Sequence, residues 1–133
     1  STWEMYLQGD LDMLNAPAFT YDVTPGTITS LVDGAACLDD VRLGAGVRND
    51  GMIDSLPMIL AAIDAGYPIK VLGDPAFYEP LSLATDKGND DPELDAELAR
   101  IIAQMQDDYT LSLLSIKHFK NADGSSADYT VAY

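Results

Sequence analysis

The chain has 133 residues, 47% of them apolar, which is enough for one packed domain and excludes a disordered tail. Its formal net charge is −15, from 22 acidic against 7 basic residues, which excludes a nucleic-acid surface and an affinity for anionic membranes. No apolar run approaches the roughly 18 residues that span a bilayer, and the one cysteine, Cys37, excludes an internal disulfide.

Residues 2–8 read as a short helix, with Ser1 or Thr2 as its cap and Glu4 favourably placed near its positive end. A loop follows over 9–17. Phe19, Tyr21 and Val23 alternate with polar or small residues, as a strand does. Pro25-Gly26 makes a turn, and a helix is expected over roughly 27–43 with Ile28, Leu31, Val32, Ala35, Leu38 and Val41 on one side. Cys37 lies in that stretch among Ala35, Ala36 and Leu38 and reads as a small buried apolar residue. The one histidine, His118, is far from it in sequence and reads as a surface or boundary residue of a packing helix. No Cys and His spacing suits a metal.

The most informative stretch is 50–63. Gly51, Met52 and Ile53 suit a strand covered on both faces, and Ser55 and Pro57 suit the start of a helix. Leu56, Ile59, Leu60 and Ile63 then fall on one helical face, and Gly66 suits a left-handed residue just past its end. The junction of a parallel strand with a helix start is where open α/β sheets bind ligands, which makes Asp54 and Ser55 site candidates. Further strands are expected over 69–72 and 81–85. Asp90-Asp91-Pro92 starts a helix whose apolar period runs to about Asp107, and Thr110 opens another. The segment from 121 reads as a loop, with 128–133 extended. This alternation predicts an α/β fold with a mostly parallel sheet flanked by helices, followed by a separate helical packing unit.

Several stretches then carry a resemblance: Ser1-Thr2-Trp3-Glu4-Met5-Tyr6-Leu7, residues 43–57, residues 69–83 (IKVLGDPAFYEPLSL), and Lys87-Gly88-Asn89-Asp90-Asp91-Pro92-Glu93-Leu94. With residues 95–130 collinear behind them, the chain resembles the polar amino-acid class of bacterial solute-binding proteins that serve ABC importers. The resemblance implies a periplasmic-binding-protein-like clamshell. Residues 1–78 would form ligand-binding lobe 2, without its first strand, and 79–133 the return strand and C-terminal helices of lobe 1. It implies a periplasmic or extracellular location, including a cell-surface lipoprotein, and a chain that is a fragment of the whole receptor.

The resemblance also implies a small polar ligand, an amino acid or analogue, with no cofactor, no metal and no catalytic residue. The implied partners are the transporter's membrane subunits, and lobe 1 is completed by the full-length chain. Thr2, with Ser1 and the free N–H groups of its helix, would hold a carboxylate; the alternative is that both residues only cap. The family's ammonium-binding aspartate aligns with Ser55, and the acid stands one position earlier at Asp54. Either Asp54 takes the role or Ser55 makes a polar contact in its place. Tyr78, Glu79 and Pro80 would form the hinge. In Asp108-Tyr109-Thr110 a tyrosine replaces the family's glycine, unfavourable wherever φ is positive. Two other classes stay open: a sensor ectodomain or dissected lobe without transport, and a dehydratase on the same scaffold with Asp54 as its acid.

Overall fold

The structure, a computed structural model, describes residues 1–13, 21, 23–88 and 91–130. The chain divides into two compact units, Ser1–Phe77 and Tyr78–Tyr133.

The first unit holds three helices: α1 (Thr2–Gln8), α2 (Gly34–Val41) and α3 (Leu56–Asp64). Ser1 caps α1, its hydroxyl accepting the Glu4 N–H at 3.2 Å. The Asp33 carboxylate caps α2 by accepting the Ala36 N–H at 2.8 Å. That cap explains why α2 is half the length expected over 27–43. The helix begins where the carboxylate supplies a partner for a free N–H, and the β-branched run Thr27-Ile28-Thr29 ahead of it favours other conformations. Val32 is accordingly 91% exposed. At the end of α3, Gly66 takes φ 89° and the Tyr67 N–H reaches back to the Ala62 carbonyl at 3.0 Å, the closure that the glycine implied.

The core of this unit is small and aromatic. Tyr6, Leu11, Leu38 and Ala62 are buried. The Tyr6 ring stands 5.3 Å from both Tyr21 and Phe77, and Trp3 stands 5.2 Å from Phe77. The Tyr21 hydroxyl donates to the Leu11 carbonyl at 2.8 Å.

The second unit holds α4 (Pro92–Asp107) and α5 (Thr110–His118), packed on each other. Asp91 caps α4 through the Leu94 N–H at 3.0 Å. The apolar stripe of α4 is present but open: no residue of α4 is buried, and Leu94 is 49% exposed. Beyond α5 the chain turns back through a single antiparallel bridge, Lys120 with Ser126. Buried Ser115 fastens this return. Its hydroxyl donates to the Ala127 carbonyl at 3.1 Å and accepts the Tyr129 N–H at 2.8 Å.

That bridge is the one β-pairing among the described residues. The segments expected as strands over 50–53, 69–72 and 81–85 are unpaired there, and Leu81 is 89% exposed. A strand exists only with a partner to take its N–H and C=O groups, and these three segments do not partner one another. Of the strand expected around 19–23, Phe19, Thr20 and Asp22 lie outside the described residues, as do the last three residues, 131–133, of the extended tail.

Candidate functional site

The four residues singled out from sequence stand in pairs at two helix starts of the first unit. Ser1 and Thr2 open α1; Asp54 and Ser55 open α3.

The approach to Asp54 is pinned by two other aspartates. Asp40, at the end of α2, accepts Arg48 Nη1 at 2.7 Å and Asn49 Nδ2 at 3.2 Å. Asp50 Oδ1 accepts the Gly46 N–H at 2.7 Å. The loop is thereby closed on itself before residues 51–53 carry the chain to Asp54.

Asp54 turns toward α2. Its Oδ1 accepts the N–H of Ser55 at 2.7 Å. Its Oδ2 lies over Gly34 so closely that a Cβ there would sit 2.5 Å from it and 2.6 Å from Met58 Cε. Ser55 occupies the cap position of α3 through its backbone, its carbonyl accepting the Met58 N–H at 3.1 Å, but its hydroxyl makes no capping bond. The expected Ser55 side-chain cap is therefore corrected: ψ 136° carries the chain into the helix, and the neighbouring carboxylate takes the serine's own N–H.

The surroundings of Asp54 are negative. Burial raises the Cys37 thiol above its ordinary value of 9.0, and the charges of Asp54, Asp33 and Asp40 raise it further. Arg48 offsets Asp40, but among the described residues neither Asp33 nor Asp54 has an ion-pair partner. Such a place favours a positive group and disfavours an anionic nucleophile. No group of three or more His, Cys, Asp or Glu among the described residues could hold a metal ion, and no helix there is long and apolar enough to cross a membrane.

No protein-family model matches the chain, and no solved structure matches it significantly. Over 101 residues it is 30% identical to the "Probable amino-acid-binding protein YxeM" of Bacillus subtilis (strain 168), a match covering 75% of this chain and 33% of that protein. The chain thus spans about a third of the length of the curated relative it matches.

Sequence reasoning missed the partners of Asp54. Gly34 opens α2, and its missing side chain makes room for the carboxylate. The available signal was Asp33-Gly34, a capping residue followed by one without a Cβ. A further feature of the second unit also went unread: a cavity of about 320 Å³ lined by Tyr78, Asn121, Ser126, Ala127, Asp128 and Tyr129. The expected hinge residues Tyr78, Glu79 and Pro80 are the first three residues of that unit.

Proposed function

We propose that this chain is part of an extracytoplasmic solute-binding protein, which holds a small polar, amino-acid-like ligand and presents it to the membrane subunits of an ABC importer. The observation that carries this reading is the 30% identity over 101 residues to a protein named as a probable amino-acid-binding protein. In this reading the segments 50–53, 69–72 and 81–85 are strands of an α/β lobe, paired in a longer polypeptide of which this chain is a portion.

The chemistry at Asp54 supports it. A zwitterion needs an acid for its ammonium, and Asp54 is a carboxylate without a cation among the described residues. It needs donors for its carboxylate, and the start of α1 supplies N–H groups beside the Thr2 hydroxyl, with Ser1 holding the cap. Ser55 adds a hydroxyl with no capping bond. The function is binding, with no covalent step and no resident cofactor.

The test is a thermal-shift and calorimetric panel of polar amino acids on the full natural polypeptide. A ligand at 100 times its Kd adds about 2.7 kcal/mol of stability by mass action. Asp54→Asn should weaken binding of that ligand by at least about tenfold, the order of one charge-assisted hydrogen bond. Absence of any shift across the panel at millimolar concentration overturns the reading.

A further inference from the structure

The cavity of about 320 Å³ in the second unit is walled by groups that attract positive charge. Two of them are phenol rings, Tyr78 and Tyr129, whose centroids stand 6.0 Å apart with their planes at 48°. Asn121, Ser126, Ala127 and Asp128 complete the lining, and no lysine, arginine or histidine is among the described residues that form it. Tyr129 is fixed from three sides. Phe119 meets its ring edge-on at 5.9 Å, the Ser115 hydroxyl accepts its N–H, and its own hydroxyl donates to the Lys120 carbonyl at 3.1 Å. Tyr78 is 51% exposed, which leaves that wall open to an incoming molecule. Asp128 carries its charge into this setting. The Thr130 hydroxyl and N–H hold its carboxyl below its ordinary 3.8, and it has no ion-pair partner among the described residues.

We propose that this cavity binds a small organic cation, an alkylammonium group seated against the Tyr78 and Tyr129 rings with Asp128 as its counter-charge. The face of an aromatic ring is negative and attracts a cation within about 6 Å of the ring centre. An alkylammonium satisfies both parts of the lining at once, its carbon atoms covering the rings and its charge answering the carboxylate. A bare divalent metal is a poorer occupant. It needs several oxygen ligands, and no group of three or more His, Cys, Asp or Glu among the described residues could hold one. An anion is repelled by Asp128 and by a chain of 22 acids against 7 bases, which draws cations toward its surface instead. The volume falls at the small end of ligand pockets, about 300–1,000 Å³, which suits a compact ligand. All six lining residues belong to the second unit, so the proposal is independent of the reading of Asp54.

The probe is choline chloride, and its control is the neutral isostere with carbon in place of the charged nitrogen. Ring-labelled tyrosine in the full chain reports by NMR at Tyr78 and Tyr129, with ionic strength held constant by sodium chloride. Choline should move both ring signals saturably, and the isostere should bind at least about tenfold more weakly. Tyr78→Leu keeps apolar bulk at this half-exposed position but removes the ring face. It should weaken choline binding at least about threefold, read at Tyr129, whereas Tyr78→Phe should preserve it. Asp128→Asn keeps the oxygen that accepts the Thr130 N–H, so the turn survives, and should weaken choline by a similar factor. Equal affinity for choline and its isostere overturns the proposal, as does unchanged affinity in both Tyr78→Leu and Asp128→Asn. Ring shifts that sodium chloride alone reproduces overturn it too, because they report only cations gathering on an acidic surface.

Discussion

Tyr109 holds φ 63°, the one positive value among the described non-glycine residues, and its side chain is 70% exposed. A Cβ in the left-handed region costs about 1–2 kcal/mol, and little packing here offsets it. Asp108 keeps the turn closed by accepting the Thr110 N–H at 3.0 Å. Tyr109→Gly is expected to stabilise the chain by about 0.5–1 kcal/mol after the extra freedom of the unfolded glycine is subtracted, read as a higher melting temperature. This strain was legible in the sequence, because a tyrosine stands where the resembling family has glycine. The contact between Asp54 and Gly34 was not, because it joins residues far apart in the chain and no periodicity records such an approach. Gly34→Ala tests it. The added methyl meets two flexible side-chain ends, so stability should change by less than about 1 kcal/mol, the helix-propensity gain opposing the displacement. Asp54 must move, and ligand affinity in the titration above should fall more than stability does.

Among elements, the helices with chemical end signals were readable. Asp91-Pro92 starts α4, Gly66 closes α3, and Ser1 opens α1, each through a local hydrogen bond that the sequence specifies. The start of α2 was misjudged because an apolar period was followed past its true cap at Asp33. Over 50–53, 69–72 and 81–85 the residue pattern marks where a strand is expected, whereas a strand also needs a neighbour, and among the described residues these segments have none. Ser115 is the element-scale device that no pattern announced. One buried hydroxyl serves both the Ala127 carbonyl and the Tyr129 N–H. Ser115→Ala should cost about 1–3 kcal/mol by leaving them without that partner, and should speed hydrogen exchange at Tyr129 specifically.

At the scale of the molecule, 22 acids face 7 bases and the chain repels itself. Added sodium chloride should therefore raise the melting temperature as the Debye length shortens toward about 8 Å at physiological strength. Acid works in two opposing stages. Loss of net negative charge first relieves the repulsion. Asp108, Asp123 and Asp128 behave differently, because side-chain and backbone hydrogen bonds from Thr110, Ser125 and Thr130 hold each below its ordinary 3.8. Groups depressed on folding contribute stability that is present above the unfolded value and lost as pH falls through the folded one. Thermal melts across pH should therefore peak in mild acid and decline below about 3.8, with the turns of the second unit loosening in that range. A monotonic rise of stability into strong acid would contradict this order.

Cys37 bears on how the protein keeps on the shelf. Air oxidation and thiol coupling begin from the sulfur anion, and partial burial, helped by the charges of Asp54, Asp33 and Asp40, raises the thiol and disfavours that anion. Two copies that met thiol to thiol would also bring two charges of −15 together. Purified samples should accordingly lose reactive sulfhydryl more slowly than an unhindered thiol does, and Asp54→Asn or added salt should speed the appearance of covalent dimers on a non-reducing gel.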